Sequence, residues 1–130
     1  MIVVIAGIII KDGKVLLAKR GSNQKMAGKW EFPGGKLEKG ETHQQCLERE
    51  LKEELNIDVE VLDKFKRSQY ENKEQNWAID LIGYNCRLLS QDFKLNVHDE
   101  LAWVSMQEID SFDMPVADIP FVEKLKQFIS

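Results

Sequence analysis

The sequence predicts an α+β fold, and three observations carry that expectation. Two β-rich runs surround an Asp-Gly dipeptide at the start of the chain, an amphipathic helical period occupies its middle, and a second helical period closes it. Strand-like runs lie between the two helical periods, so the order is strands, loop, helix, strands, helix, which suits an α+β sandwich.

The first two runs, residues 2–10 and 14–18, flank Asp12-Gly13, a strong hairpin signal between such segments. Residues 21–40 hold no apolar period and are punctuated by Gly28, Pro33, Gly34, Gly35 and Gly40, so they read as a long loop. Long loops in compact domains are often functional. Residues 42–55 place apolar side chains at 46, 47, 51 and 55 among charges, the spacing of an amphipathic helix, and Asn56 can close it in the left-handed conformation. Residues 57–65 and 77–88 are rich in β-branched and aromatic side chains and read as strands, whereas residues 68–75 are polar and loop-like. Residues 101–104 read as a short strand. Residues 119–129 carry Phe121, Val122, Leu125, Phe128 and Ile129 at helical spacing with Pro120 near the start, predicting a terminal helix.

A chain of 130 residues with 43% hydrophobic and 31% charged side chains suits one domain over residues 1–130 with a real core. The apolar opening stops at Lys11, too short to span a bilayer and lacking the basic start of a signal peptide. Cys46 and Cys86, forty residues apart, have neither metal-ligand spacing nor disulfide-scaffold density, which points to core positions and a cytoplasmic location. A net charge of −4 argues against stable nucleic-acid binding and leaves a small anionic ligand held through a cation. Oligomeric state is not readable from these features.

On the predicted middle helix Glu50 and Glu54 stand one above the other, with Glu53 nearly on the same face. Like charges at that spacing cost about 0.2–0.5 kcal/mol per pair on an isolated helix. A bound divalent cation would reverse the penalty, and oxygen-only ligands select a hard ion such as Mg²⁺, with Mn²⁺ as an alternative. The same face also reads as a solvated acidic surface bridged to Arg49 and Lys52. Just upstream, Gly34 and Gly35 allow close backbone approach, so their carbonyls can complete an oxygen shell, and Lys36 follows as a phosphate partner. A plain Pro-Gly turn is the simpler reading of that loop.

Gly35, five residues, Glu41, seven residues, and then Arg49-Glu50-Leu51-Lys52-Glu53-Glu54-Leu55-Asn56-Ile57 closely resembles the Nudix box, matching eight of its nine specified positions. The departure is Asn56, where the family has glycine; asparagine is the next most tolerant residue for a left-handed cap. The run from Gly28 through Lys36 resembles the approach loop of the MutT-like branch of that family. The resemblance covers nearly the whole chain and implies the Nudix fold, a mixed β-sheet sandwiched between helices. It also implies an Mg²⁺-dependent enzyme in which water attacks a phosphorus within a diphosphate linkage. A (deoxy)nucleoside triphosphate would then give the monophosphate and pyrophosphate, with sanitisation of 8-oxo-dGTP as the leading substrate reading.

By the same resemblance, Glu50 and Glu54 with a carbonyl of Gly34 or Gly35 are the metal ligands, and Glu53 joins through a second ion or a water. The proton of the attacking water falls to Glu50, Glu53 or a carboxylate from another loop, for which Glu100 ranks first among His98, Asp99 and Glu100. Arg49 would brace the carboxylates, and Glu41 either joins them or simply caps the helix. Arg20 and Lys36 are the cations expected at the triphosphate. Trp30, Glu31, Phe32 and Tyr70 complete the expected substrate contacts, although the aromatics, Trp77 included, read equally well as core.

Residues 115–120, Pro-Val-Ala-Asp-Ile-Pro, resemble the base-reading end of MutT-like enzymes and place Asp118 at the start of the last helix. As a hydrogen-bond acceptor it can pair with the exocyclic amine of cytosine or with N–H groups of an oxidised purine; as a helix N-cap it would have no such role. The Ala-Asp-Ile-Pro run resembles cytidine triphosphate pyrophosphohydrolases, so hydrolysis of CTP, dCTP or 5-methyl-dCTP is the alternative substrate reading. A non-catalytic nucleotide-binding module is the alternative from another class, and retention of Glu50, Glu53 and Glu54 speaks against it. An RNA-decapping role would call for a basic groove that the charge balance does not suggest.

Overall fold

The computed structural model describes residues 1–128. The opening hairpin forms as expected, with β1 (Ile2–Lys11) turning into β2 (Lys14–Arg20) and Lys11 opposite Lys14. Asp12 and Gly13 both take positive φ, 52° and 77°, the pair of left-handed residues that a two-residue turn matched to strand twist requires.

The expected loop over residues 21–40 contains two short strands, β3 (Trp30–Glu31) against β2 and β4 (Gly34–Lys36) against β1. Glycines that signal a break in the sequence here permit close pairing instead. A β-carbon on Gly34 would lie 2.0 Å from the Ile5 carbonyl oxygen.

The middle helix, α1 (His43–Leu55), starts at Thr42, whose hydroxyl accepts from the Gln45 backbone N–H while the Gln45 side chain accepts from the Thr42 N–H. It ends at Asn56, left-handed at φ 58° and ψ 37°, as the sequence predicts. Its four predicted core residues, Cys46, Leu47, Leu51 and Leu55, are all buried.

Strand β5 (Val59–Asn72) runs through residues expected to be a loop and pairs antiparallel with β6 (Trp77–Leu88) as far as Asn72 opposite Trp77. The polar composition of residues 68–72 misleads because β6 satisfies their backbone whatever their side chains. Strand β7 (His98–Val104) begins three residues before the expected start and pairs with β2. The terminal helix, α2 (Ile119–Phe128), follows a short 3-10 turn at Val116–Asp118; Ile129 lies outside the described residues.

Strand β1 is the hinge of the mixed sheet, parallel to β6 and antiparallel to β2 and β4. Its side chains alternate between two cores. Ile5 and Ile9 join the core under α1, whereas Ala6 and Ile8 join the core under α2. One glycine lets a helix sit close: a β-carbon on Gly83 would come 2.3 Å from the Phe121 ring of α2, whereas Gly7 faces Leu47 and Leu51 of α1 at ordinary contact distance. Cys46 and Cys86 are free and buried, and burial pushes both thiols up to about 12. Among the described residues no helix is long and apolar enough to cross a membrane.

Candidate active site

Helix α1 carries Arg49, Glu50, Glu53 and Glu54, and Arg49 gathers Glu41, Glu50 and Glu53 around it. Its Nε and Nη2 donate to both oxygens of Glu41, at 2.6 and 2.9 Å, and its Nη1 donates to Glu50 Oε1 at 2.9 Å and Glu53 Oε2 at 3.2 Å. This fork holds the Glu41 carboxyl down to about 2, and the Glu38 N–H adds to the effect. Glu41 is therefore a brace of the cluster, and capping of the helix belongs to Thr42.

Gly35 of β4 lies directly over Glu50, where a β-carbon would stand 2.3 Å from the carboxyl carbon. Both glycines expected to offer carbonyls, Gly34 and Gly35, thus sit in a paired strand beside the helix rather than in an open loop. Lys36 ends that strand with an exposed side chain, beside Met1, Val3 and Leu37, and its carbonyl accepts from Arg49 Nη2 at 3.4 Å.

Glu54 is the most enclosed of the helix carboxylates. Burial pushes it up to about 7, and its Oε1 is buried without a hydrogen-bond partner. Burial also raises Glu50, against the pull of Arg49. Glu53 is 60% exposed and touches Arg49 through one oxygen only. Among the described residues no three His, Cys, Asp or Glu side chains converge on one point. The donor set nevertheless fits a hard divalent cation: a buried carboxylate oxygen without a partner, a second carboxylate beside it, and backbone brought close by a residue without a side chain.

A second network continues from this cluster. Arg20 donates to Glu31 Oε1 at 2.6 Å and to the Lys25 carbonyl at 2.7 Å, and the other Glu31 oxygen lies 2.9 Å from His98 Nε2. Glu100, the carboxylate expected from this strand, and His98 lie in different surroundings. Glu100 is exposed and opposite Lys19, in the alternation that sends Ala102 and Val104 towards the α2 core and away from α1. His98 is buried, with its side chain 1% exposed.

Asp118 is buried, and burial together with the nearby Glu31 charge pushes its carboxyl up to about 8, while the Phe32 backbone N–H and Arg20 pull the other way. The shift is towards the protonated form, in which a carboxyl can both donate and accept hydrogen bonds. Of the expected stacking residues, Phe32 is core, 6.0 Å from Phe121. Trp30 is half-buried edge-on to Phe112, and Tyr70 leans on Trp77.

Asn96 escapes sequence reasoning. Its backbone N–H donates to the Glu54 carbonyl at 3.1 Å and its side-chain amide to the Glu53 carbonyl at 2.6 Å, while the Lys94 N–H takes the Leu55 carbonyl. These carbonyls belong to the last turn of α1, where a helix has no partners of its own. The only signal in the sequence is a polar loop residue.

A family model described as NUDIX domain matches residues 1–125. The CTP pyrophosphohydrolase of Escherichia coli is 38% identical over 95% of this chain and 90% of its own length, and the 8-oxo-dGTP diphosphatase of the same organism is 30% identical over 90% and 89%. The solution structure of the E. coli ORF135 protein superposes with a TM-score of 0.82 at 36% identity, covering 98% of this chain and 90% of that one.

Proposed function

The chain belongs to the NUDIX family, and from that premise we propose that it is an Mg²⁺-dependent hydrolase converting a (deoxy)nucleoside triphosphate to the monophosphate and pyrophosphate. Residues 1–130 act as one domain in this reading. The observation that carries it is the Arg49 hub: one guanidinium holds Glu41, Glu50 and Glu53 beside Glu54, whose Oε1 is buried without a partner. Carboxylates are crowded here against their mutual repulsion, as a divalent-cation site requires.

Glu50 and Glu54, with a carbonyl of Gly34 or Gly35, would hold the ion, and Glu53 would join through a second ion or a water. Such an ion would supply positive charge to the phosphate oxygens and make water a stronger acid. The water oxygen bonds to phosphorus as the bond to the pyrophosphate oxygen breaks, and a carboxylate takes the water's proton. Glu53 is the best supported acceptor, because its second oxygen is free and its position is open to water. Arg20, held by Glu31 and the Lys25 carbonyl, and the exposed Lys36 supply positive charge for the triphosphate. Glu100 has no contact with the cluster in support of a catalytic role.

Asp118 in its neutral form suits a base edge that sets a donor beside an acceptor. The N7–H and O6 of 8-oxoguanine make such an edge, whereas unmodified guanine offers two acceptors there. We therefore place 8-oxo-dGTP first, as substrate of a cytoplasmic nucleotide-pool enzyme, in keeping with two buried free thiols and the acidic charge balance. Cytosine, with N3 beside its amine, satisfies the same carboxyl, and the 38% identity to a CTP pyrophosphohydrolase favours it as the second reading.

Pyrophosphate release with Mg²⁺ from 8-oxo-dGTP, dGTP, CTP, dCTP, 5-methyl-dCTP and a nucleotide sugar tests both. Preference for 8-oxo-dGTP over dGTP supports the first reading and preference for cytidine forms the second. Release from none of the triphosphates removes the proposal. Asp118→Ala should lower affinity for the preferred base far more than for other triphosphates, and a uniform loss would return Asp118 to a structural role.

A further inference from the structure

Among the described residues, two buried side-chain polar atoms have no hydrogen-bond partner, Glu54 Oε1 and His98 Nδ1. They belong to elements far apart in sequence that the fold ties together. The Asn96 bonds to the Glu53 and Glu54 carbonyls pin the entry to β7 onto the turn of α1 that bears Glu54, two residues before His98. The ring of His98 lies within electrostatic reach of the Glu54 carboxyl.

The chemistry of the ring follows from its other nitrogen. Nε2 faces Glu31 Oε2 at 2.9 Å, and an ionised carboxylate only accepts, so Nε2 carries the hydrogen. In the neutral ring Nδ1 is then a lone pair. The carboxylate oxygen and the imidazole lone pair, each buried without a partner, are both acceptors. Burial of such atoms is unfavourable unless something electropositive joins them.

We propose that His98 supplies Nδ1 as a nitrogen ligand to the divalent cation that Glu54 holds, with Glu31 fixing the ring from behind. The proposal rests on the reading of Glu54 as a metal ligand given above. Glu31 acquires a second function in it, because the same carboxylate that holds Arg20 sets the tautomer of the ring, as carboxylate partners of ligating histidines do. A site of mixed oxygen and nitrogen donors also prefers Mn²⁺ to Mg²⁺, since imidazole suits transition metals and Mg²⁺ favours oxygen.

Pulsed electron paramagnetic resonance of the Mn²⁺-loaded full chain reads a ligating nitrogen directly. The expected spectrum shows nitrogen modulation that changes when isotope-labelled histidine is incorporated. The chain has two histidines, so the modulation should vanish in His98→Gln and persist in His43→Gln. Glutamine is chosen because its amide nitrogen can replace Nε2 towards Glu31 while offering nothing at Nδ1. The Mn²⁺ dissociation constant of His98→Gln, from titration of the free-ion signal, should rise roughly ten-fold, with a smaller change for Mg²⁺. Bound Mn²⁺ without histidine modulation in the unsubstituted chain overturns the proposal while leaving Glu54 as a ligand. Failure to bind Mn²⁺ at all removes the reading of Glu54 and the proposal with it. The wild-type spectrum decides the matter even if His98→Gln does not fold.

Discussion

A β-carbon on Gly35 would lie 2.3 Å from the carboxyl carbon of Glu50, so any side chain at this point of strand β4 displaces the Glu50 carboxylate from where it sits. The first motif position and the first glutamate of its helical run are thus a single contact in space. Replacement by alanine must push Glu50 or the strand aside. Gly35→Ala should lower kcat about 100-fold, the scale expected for displacing a reacting group by about 1 Å. Steady-state kinetics of the variant, with the melting temperature as control, reads this directly; unchanged kcat would mean that the contact does not position the chemistry.

Glu53 is the most exposed of the three helix glutamates that the motif specifies, and removing its charge should leave the fold almost untouched. Glu53→Gln keeps the volume and loses the basicity. Turnover should fall by a factor of about 100 or more, as for loss of a general base, and stability should change by no more than about 0.5 kcal/mol. Full activity in this variant would sink the assignment.

Asn96 holds two carbonyls of the last turn of α1. Asn96→Ala removes the side-chain bond to the Glu53 carbonyl and should cost about 1–3 kcal/mol in denaturant unfolding. The same variant should weaken Mg²⁺ binding, because the turn it frees carries Glu53 and Glu54. A stability loss with unaltered metal affinity would show that the clamp serves the fold alone.

The Asp118 carboxyl has a folded pKa of about 8 against an ordinary value of 3.8, so the folded chain binds its proton more tightly than the unfolded chain. Its contribution to stability is complete below about pH 4 and is lost as pH rises towards and through about 8. Melting temperatures of wild type and Asp118→Asn across that window check this. The asparagine variant should lack this part of the alkaline decline, and parallel curves would place the titration elsewhere.

Much of the fold is readable along the chain because it rests on local signals: Asp12-Gly13 with positive φ at both residues, the apolar period of α1, the left-handed Asn56. Strand pairing over residues 68–72 is not readable, since those side chains are polar and their strand exists through backbone bonds to β6. Gly34 and Gly35 mislead in a related way. Their lack of a side chain signals a loop in one dimension and a close strand-to-helix contact in three.

By itself the sequence determined the family motif, the helix that carries it and the carboxylates that line one face, because helical spacing converts residue numbers into neighbours. Tertiary structure alone decided which distant residues join them. Arg49 reaches Glu41 across the helix start, Glu31 ties Arg20 to His98, and Asn96 closes the last turn. It also separated His98 from Glu100, near neighbours in sequence, by burying one beside α1 and leaving the other exposed opposite Lys19. The physical reason is strand geometry: a bulge between Lys19 and Arg20 shifts the register opposite His98, and the face on which a side chain emerges depends on that register.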